Sequence, residues 1–273
     1  MIKVLGKGFI KRVFSLKSKG FPLHYALASL LSYEATRRAY YHLNILILPN
    51  GFKVLLPIKY QNIRRGVLHN YSEIFIYGEY SKVPEYRVRE GDIVLDAGAF
   101  VGLYTLSVAD KASLVIAVEP NPASYIFLTN NIKINNLNSK IITYNVALGD
   151  FEGNAILYVE DWLAGGSTLF DFWHIYYGHS LKIPVKVVKL DNILKNVGID
   201  RVDLMKIDVE GAELMVLRGA MDHLKRRLIK RLIMEIHLDV ISVKEVKDFL
   251  EKHGYKVELL ETRDDTALLY SRC

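Results

Sequence analysis

Residues 91–119 constrain the fold more than any other stretch, because GDIVLDAGAFVGLYTLSVADKASLVIAVE reads as strand, glycine turn, helix and strand. Its first apolar run, at 93–95, shows no alternation, which is typical of a strand buried on both faces in a parallel sheet. Gly98 lets the chain turn sharply beside a ligand, and Gly102 lets the next helix lie close to its strand. The stretch therefore predicts a βαβ unit with a cofactor-binding turn.

An acid follows each strand of this unit. Asp96 occupies the first position of the turn, where a dinucleotide fingerprint has glycine so that a pyrophosphate can lie on the helix N-terminus. A carboxylate there repels a pyrophosphate but attracts the ammonium and sulfonium groups of S-adenosylmethionine. Glu119 follows the second strand, at 114–118, where an acid can accept hydrogen bonds from ribose hydroxyls. The two acids predict S-adenosylmethionine as the cofactor.

Four ordered motifs carry a resemblance to a known family. Over about residues 70–240, the sequence resembles the FkbM-type family of class I S-adenosylmethionine-dependent methyltransferases. Phe100 stands where that family often carries Asn. The matching motifs are DAGAFVGLYT at 96–105, EPNP at 119–122, KIDVEGAE at 206–213 and EIH at 235–237.

The resemblance implies an α/β, Rossmann-like fold whose central, mostly parallel sheet has seven strands and a C-terminal antiparallel hairpin. The sequence supports this hairpin independently, because apolar runs at 255–260 and 266–270 flank a short turn. We predict a basic N-terminal extension of helices and a β-hairpin over 1–85, followed by a methyltransferase domain over 86–273. An aromatic loop at 160–183 is inserted into this domain.

Periodicity and capping signals predict the remaining elements. Ser242 and Glu245 form a capping box for a helix that ends at His253, and Gly254 is its C′ residue. The other predicted elements are strands at 141–146, 154–159, 184–190, 202–207 and 232–236, helices at 22–43, 101–109, 122–136 and 211–225, a β-hairpin at 44–48 and 52–58, and a short helix within 70–80.

Residues 165–180, GGSTLFDFWHIYYGHS, interrupt the alternation of strands and helices. The segment is rich in aromatic residues and contains His174 and His179. Because aromatic faces stack on sugar rings and planar substrates, one interpretation is a lid over the acceptor. The alternative is a small satellite core or an oligomer contact.

The motifs and the resemblance together assign the cofactor contacts. The resemblance places the turn at 147–150 against the adenine and the segment 70–80 over the methionine end of the cofactor. In that segment Glu79 is a further candidate, and ordinary packing is the alternative role. The predicted contacts are Glu73, Tyr80, Asp96, Gly98, Ala99, Gly102, Thr105, Glu119, Pro120, Asn121, Ala147 and Asp208.

Methyl transfer to a hydroxyl requires a base, because the oxygen is a poor nucleophile until its proton leaves. Asp208 and Glu210 follow a buried strand at its carboxyl end, the edge where open α/β sheets bind ligands. His237 ends the next strand, and we predict these three residues as catalytic, with helix capping as the alternative role of KIDVEGAE. Lys206 and Glu235 are weaker candidates.

We predict no metal, because the spacing of these residues demands none. The alternative is a metal site that uses Asp208 with Glu235 or His237.

The basic residues are concentrated near the N-terminus. The net charge is +6, whereas residues 1–43 carry eight Lys and Arg residues against Glu34, which gives +7 and leaves −1 for the rest. Such a segment can lie on an anionic membrane or bind an anionic partner, and the alternative is a solvated helical face. Cys273 is the single cysteine, so an internal disulfide is excluded. We predict a cytoplasmic protein with peripheral contact to the inner membrane surface through 1–43.

As the resemblance implies, the predicted function is S-adenosylmethionine-dependent methylation of a hydroxyl on a sugar, a glycan or a small metabolite. One alternative is an RNA methyltransferase, which the basic N-terminus favours. The slightly acidic remainder and the lack of an NPPY-type motif oppose it, so no nucleic acid partner is expected. The other alternative is a non-catalytic scaffold that docks through 1–43, which the retained Asp96, Glu119 and Asp208 oppose. The sequence leaves the oligomeric state open.

Overall fold

The computed structural model describes residues 45–55, 61–159, 166–171 and 181–273, with the backbone alone for 61–65. The basic segment 1–43 and the helix predicted at 22–43 lie outside the described residues. The strands and helices are β1 (Ile45–Ile47), β2 (Lys53–Leu55), α1 (Gln61–Tyr71), β3 (Ile93–Ala97), α2 (Leu103–Val108), β4 (Leu114–Val118), α3 (Pro122–Ile134), β5 (Ile141–Tyr144), β6 (Ala147–Leu148), β7 (Gly153–Val159), β8 (Ser167–Thr168), β9 (Leu181–Val188), α4 (Leu190–Val197), β10 (Leu204–Ile207), α5 (Glu213–Gly219), α6 (Met221–Lys225), β11 (Arg231–His237), α7 (Val243–Lys252), β12 (Lys256–Thr262) and β13 (Thr266–Arg272).

Seven strands form the central sheet in the order β12-β13-β11-β10-β3-β4-β5. The five strands from β11 to β5 are parallel to one another. β13 is antiparallel to both of its neighbours, β11 and β12. The predicted Rossmann-like sheet with its C-terminal antiparallel hairpin is therefore confirmed. The direction of winding reverses between β3 and β10, and open α/β sheets bind ligands beside such a point, at the carboxyl ends of the strands.

Successive residues of the parallel strands face two separate cores. On β3, Val94 packs into the core beneath α2 and α3, whereas Leu95 packs into the core beneath α4, α5 and α7. Both side chains are fully buried. Neither face of the sheet meets water at this point, which explains why the apolar run has no alternation. Packing from both sides fixes the carboxyl ends of the strands, where the polar residues lie.

The predicted N-terminal hairpin is confirmed in its described part, since β1 and β2 pair antiparallel. The N–H of Leu55 donates to Asn131 Oδ1 at 2.6 Å, and the N–H of Lys53 donates to Asn135 Oδ1 at 2.8 Å, at the end of α3. Val54 is buried in the core beneath α2 and α3. The hairpin therefore packs onto the central domain. The division of the chain between residues 85 and 86 stays a prediction.

The segment at 70–80 is less regular than the short helix predicted for it. A π-helical turn covers Ser72–Ile76 directly after α1, and a 3₁₀ turn covers Glu79–Ser81. Gly78 joins the two turns with φ +61°. π-helical turns are rare and occur frequently at functional sites. Here the two turns bring Glu79 and Tyr80 into the interior, where both are buried.

A second sheet, in the order β6-β9-β7-β8, follows β5. β7 and β9 correspond to the strands predicted at 154–159 and 184–190, and they pair antiparallel. Of the aromatic loop at 160–183, the structure describes 166–171 and 181–183, so that His174 and His179 lie outside the described residues. Thr168 Oγ1, on β8, donates to the carbonyl of Glu210 at 2.7 Å. The described part of the loop thus contacts the carboxyl edge of the central sheet.

Two helices, α1 (Gln61–Tyr71) and α4, are missing from the sequence prediction. α4 follows β9 almost directly, where the prediction has a strand to residue 190 and no helix before 202. Leu190, Ile193 and Leu194 are buried, with the i, i+3, i+4 spacing of an amphipathic helix. The apolar alternation of β9 continues directly into this helix, with no turn residue between them. The sequence therefore gives no signal for the change from the two-residue period of a strand to the 3.6-residue period of a helix.

The helix predicted at 211–225 is two helices, α5 and α6, which meet at Ala220. The chain is crowded at this point, since a Cβ on Gly219 would lie 2.0 Å from the carbonyl oxygen of Gly149. The capping box at Ser242 and Glu245 is confirmed at the start of α7. Gly254 follows this helix with φ +82°, as a C′ residue does.

Among the described residues, no helix combines the length and the apolar character that a membrane crossing requires.

Candidate active site

A cavity of about 770 Å³ opens at the carboxyl ends of β3, β4, β10 and β11. Its volume lies within the roughly 300–1,000 Å³ of small-molecule sites. Acidic groups outnumber basic groups in its wall, which therefore favours cationic groups on a ligand, such as the ammonium and sulfonium of the predicted cofactor. The ionisable lining residues are Glu73, Glu119, Asp208, Glu210, Glu235 and Asp265, with His69, His237 and Arg263.

The glycine turn after β3 forms one wall of this cavity. The N–H groups of Gly98 and Ala99 both donate to the carbonyl of Val118 at 3.0 Å, which ties the turn to the end of β4. Gly98 has φ +80°, and a Cβ there would lie 1.8 Å from the carbonyl oxygen of Asp208. Glycine is required because the end of β10 approaches the turn so closely. The bare backbone is then open to a ligand, which fits the predicted cofactor.

The Glu119 carboxylate lines the cavity directly after β4. Its Oε2 accepts from the N–H of Phe100 and its Oε1 from the N–H of Asn121, each at 2.8 Å. Burial raises the pKa of Glu119 to about 7, although both hydrogen bonds act in the opposite direction. The side chain is therefore held in one orientation at the position where a ribose acceptor is predicted, and the residues here fit S-adenosylmethionine.

Asp96 is fully buried and does not line the cavity. Its Oδ2 accepts from Thr105 Oγ1 at 2.6 Å, and its Oδ1 lies 3.5 Å from Lys206 Nζ. Burial raises the pKa of Asp96, against the opposing effect of Lys206. The expectation that this carboxylate projects into the ligand space is not met. It acts on the site through Lys206, and its direct contact with the cofactor stays a prediction.

Lys206 connects the two acidic strand ends. Its Nζ lies 3.1 Å from Asp208 Oδ2 and donates to the carbonyl of Gly98 at 2.9 Å. The side chain is 3% exposed. Burial acts to lower the pKa of Lys206, but Asp208 and Asp96 outweigh it and raise the pKa above its usual value. A charged lysine therefore joins β3 to β10 at the cavity, a role that the alternation of KIDVEGAE suggested only weakly.

Tyr80 reaches the same group of carboxylates from the 3₁₀ turn. Its hydroxyl lies 3.3 Å from Asp208 Oδ2 and 3.3 Å from Glu235 Oε2, so it can donate to either. Burial, followed by the negative charge of Asp208, raises the pKa of Tyr80 well above its ordinary value. The phenol thus stays protonated and acts as a donor. Tyr80 does not line the cavity, and it supports the site from behind.

Asp208 lines the cavity with an ionised carboxylate. Burial acts to raise the pKa of Asp208, but the positive charges of Lys206 and His237 outweigh it and lower the pKa below its usual value. Glu210 also lines the cavity, and burial raises its pKa. Its φ is +53°, in the left-handed region. Of the predicted bases, Asp208 is the one that its surroundings hold in the proton-accepting form.

His237 lies between two carboxylates. Its Nε2 is 3.1 Å from Glu210 Oε2, and its Nδ1 is 2.8 Å from Glu213 Oε1. Burial acts to lower the pKa of His237, but Glu210 and Glu213 outweigh it and raise the pKa well above its usual value. An imidazolium has no lone pair with which to accept a proton. The geometry therefore argues against the predicted role of His237 as the base.

Arg263 is a site residue that the sequence prediction misses. It lies in the turn between β12 and β13, and its Nη2 is 2.9 Å from Glu79 Oε1. Its Nη1 lies 3.9 Å from Glu73 Oε1 and 4.0 Å from Glu235 Oε1. Burial, followed by neighbouring acids, raises the pKa of Glu73 and of Glu235 to about 8. The guanidinium of Arg263 thus faces Glu73, Glu79 and Glu235. The sequence signals this residue only through its position in a hairpin next to β11.

The predicted site residues divide into two groups, and their roles stay predictions. One group lines the cavity: Glu73, Gly98, Glu119, Pro120, Ala147, Asp208, Glu210 and His237. The other lies behind its wall: Tyr80, Asp96, Ala99, Gly102, Thr105 and Asn121.

The second group contains residues with clear supporting roles. A Cβ on Gly102, where φ is +91°, would lie 2.7 Å from Leu128 Cδ1, so this glycine lets α2 pack closely against α3. Asn121 caps α3, because its Oδ1 accepts from the N–H of Ala123 at 3.0 Å. These residues shape the turn at which the cofactor contact is predicted.

The fold and the cavity define a class I methyltransferase. Residues 96–257 match the family model described as the methyltransferase FkbM domain, and the chain belongs to this family. It is an S-adenosylmethionine-dependent methyltransferase, with S-adenosylmethionine as the methyl donor.

Individual relatives agree with the family assignment. Methyltransferase sdnD of Sordaria araneosa is 28% identical over 198 residues, which cover 63% of this chain and 74% of that protein. The hexuronic acid methyltransferase AglP of Haloferax volcanii is 25% identical over 187 residues, which cover 67% of this chain and 71% of that protein. The crystal structure of methyltransferase FkbM from Methylobacillus flagellatus KT superposes with a TM-score of 0.51 at 18% identity, covering 75% of this chain and 52% of that one. This last likeness shows the shared fold.

Proposed function

We propose that the enzyme transfers the methyl group to a hydroxyl on a sugar, a glycan or another small metabolite. The ionised Asp208 carboxylate at the cavity wall carries this proposal. S-adenosylmethionine, when bound, supplies an electrophilic methyl group. The protein must then place the acceptor oxygen and remove its proton.

Asp208 is placed to take that proton. Its Oδ2 is engaged by Lys206 at 3.1 Å and by the Tyr80 hydroxyl at 3.3 Å. The carboxylate is therefore oriented by two groups behind the wall while the residue itself lines the cavity. Asp208 would accept the proton of the acceptor hydroxyl as the oxygen takes the methyl group, and the bond between that methyl group and the sulfonium would break, so that the donor leaves as S-adenosylhomocysteine. Lys206 compensates the charge of Asp208 before this transfer, and Tyr80 keeps the side chain in place.

The wall of the cavity also bears on the kind of acceptor. It contains six acidic groups, those of Glu73, Glu119, Asp208, Glu210, Glu235 and Asp265. The pKa of Glu73 and of Glu235 is raised to about 8, so these two are protonated near neutral pH, whereas the pKa of Asp208 is lowered and its carboxylate is ionised. An anionic acceptor group would be repelled by the ionised Asp208. A neutral polyol avoids this repulsion and can hydrogen-bond to carboxylates through its hydroxyls. The similar protein AglP is named for methylating a hexuronic acid, which supports a sugar as the acceptor class. We therefore favour a sugar hydroxyl as the acceptor.

Labelled methyl transfer into fractionated cell extract tests this proposal. Wild-type enzyme is incubated with methyl-labelled donor and with glycan, lipid, small-molecule and RNA fractions, and the linkage in the labelled product is determined by mass spectrometry and NMR. We expect an O-methyl product in the glycan or small-molecule fraction. Asp208→Asn should lose this activity, and Asp200→Asn, at an exposed position preceding β10, should keep it. Label in RNA alone, or on nitrogen, would overturn the proposal.

We further propose that the basic segment 1–43 makes a peripheral contact with an anionic membrane surface. Its net charge of +7 supports this contact. A juxtamembrane basic residue contributes about 1 kcal/mol of attraction to an anionic leaflet.

A further inference from the structure

Three potential metal ligands meet at one point of the cavity wall. Asp208, Glu210 and His237 each offer a donor atom, and these atoms all lie within 4.8 Å of one another. Donors bound to a common ion at about 2.1 to 2.3 Å are at most about 4.6 Å apart. Side-chain rotations that move the donors by a few tenths of an ångström would therefore let all three reach one cation.

The arrangement follows from the pairing of two parallel strands. Asp208 and Glu210 come directly after β10, and His237 is the last residue of β11, its neighbour in the sheet. The chain leaves the strand after Asp208 with two residues in the left-handed region, Glu210 at φ +53° and Gly211 at φ +99°. A Cβ on Gly211 would lie 2.5 Å from Val240 Cγ2. Backbone packing therefore fixes the direction of the loop that carries the two acids.

The buried carboxylate of Glu213 orients the imidazole of His237. This contact is an observation separate from the closeness of the three donor atoms. Glu213 is fully buried, and its Oε1 lies 2.8 Å from His237 Nδ1 and accepts from the N–H of Gly211 at 2.9 Å. Its Oε2 is buried with no hydrogen-bond partner among the described residues. Metal-bound histidines usually donate their second nitrogen to a carboxylate of this kind. Nδ1 is thus committed to Glu213, and Nε2 is the nitrogen on the side of Glu210 and the cavity.

We propose that Asp208, Glu210 and His237 form a divalent-cation site in the wall of the cavity, with Glu213 as the carboxylate that positions the histidine. Two carboxylates and one imidazole suit Mn²⁺ better than Mg²⁺, because Mg²⁺ prefers oxygen ligands alone. The same three ligands can also bind Zn²⁺. Three protein ligands leave coordination positions for oxygen atoms from water or from the acceptor. The cation would then hold the acceptor oxygen and lower the pKa of its hydroxyl.

Mn²⁺ binding to the full-length enzyme, measured by calorimetry and electron paramagnetic resonance without acceptor, tests this site. The measurements are made at about pH 8, because binding of the cation displaces a proton from His237 and is favoured at higher pH. We expect one Mn²⁺ per chain in the wild type. Glu210→Gln and His237→Ala should each weaken Mn²⁺ binding at least about 10-fold, and Glu213→Gln should weaken it about 10- to 100-fold through the orientation of His237.

The chain offers a matched control in a second histidine–carboxylate pair. His223 Nδ1 lies 2.5 Å from Asp191 Oδ1, away from the cavity lining. His223→Ala should leave Mn²⁺ binding unchanged. The thermal midpoint of each variant shows whether it folds. Because Glu210 is partly exposed, Glu210→Gln decides the question if His237→Ala does not fold.

Two results would overturn the cation site: no binding of Mn²⁺, Mg²⁺ or Zn²⁺ to the wild type up to about 1 mM, or unchanged binding in folded Glu210→Gln. S-adenosylmethionine affinity is measured in the same samples. A chain that binds the methyl donor and transfers methyl groups to hydroxyls, but binds no cation, would remove the metal site and leave the proposed function intact.

Discussion

Replacing Lys206 by methionine should damage both stability and catalysis, because this buried lysine joins the two acidic strand ends. Its Nζ lies 3.1 Å from Asp208 Oδ2 and 3.5 Å from Asp96 Oδ1. At an effective dielectric constant of about 20, each attraction amounts to about 5 kcal/mol, much of which the desolvation of the charges offsets. Lys206→Met keeps most of the side-chain volume but leaves two buried carboxylates without their cation. The expected loss is about 3 to 5 kcal/mol of unfolding free energy.

Urea denaturation of the two proteins measures this loss, and the chain offers a surface control. Lys244 pairs with Asp248 one turn further along α7, and both side chains are exposed. Lys244→Met should therefore change the unfolding free energy by less than about 0.5 kcal/mol. Adding Asp96→Asn to Lys206→Met should recover about 1 to 3 kcal/mol, since the pair is coupled. A loss below about 1 kcal/mol for Lys206→Met would refute the reasoning.

Three further changes test other parts of the structure. Glu119→Ala should weaken binding of S-adenosylmethionine by about 1.5 to 3 kcal/mol in calorimetry, because it removes a charge-assisted acceptor, and an unchanged affinity would contradict this role. The raised pKa of about 8 at Glu73 and Glu235 means that the folded chain binds these protons more tightly than the unfolded chain. The stability that these two protonated groups contribute is thus complete below about pH 4.5 and lost as the pH rises through about 8. The thermal midpoint of the protein without ligands should therefore fall over this range. It should fall less in Glu235→Gln, which keeps one of the two sites uncharged. Deleting residues 1–20 should abolish sedimentation with anionic liposomes at low salt and leave cofactor affinity unchanged, whereas failure of the full-length protein to sediment would remove the membrane contact.

The sequence predicts best those elements whose signals are local. The strand at 114–118 is predicted with the bounds that the structure has, because both of its faces are buried and its residues are apolar throughout. The capping box of α7 is likewise readable, since Ser242 and Glu245 interact across three residues. The glycine turn is predictable for the same reason: the positive φ of Gly98 and Gly102 follows from their place between strand and helix.

The interior of the site depends on contacts between distant parts of the chain, which no local pattern records. The Tyr80 hydroxyl reaches Asp208 across 128 residues and Glu235 across 155 residues. Arg263 approaches Glu235 because β13 pairs with β11. The sequence therefore predicts which residue types reach the carboxyl edge, while the folded sheet decides which of them meet.

Tertiary packing also decides where two sets of acidic side chains point. The motif places Asp96 at the ligand turn, but Thr105 and Lys206 engage its carboxylate beneath the wall. The spacing of the acids after β10 demands no metal, yet the register of β10 and β11 brings Asp208 and Glu210 beside His237. In both cases the position along the chain is read correctly, and the direction of the side chain depends on tertiary packing.

The most direct test of the account is the kinetics of Asp208→Asn with an identified acceptor. The account predicts that kcat falls by about 10² or more while the affinity for S-adenosylmethionine changes little, because proton removal is needed only in the transition state. The wild-type rate should also lack a rise above about pH 7, which a His237 base would give because its pKa is raised well above the usual value. A kcat for Asp208→Asn within a few-fold of the wild type, at unchanged donor affinity, would contradict the assignment of Asp208 as the base.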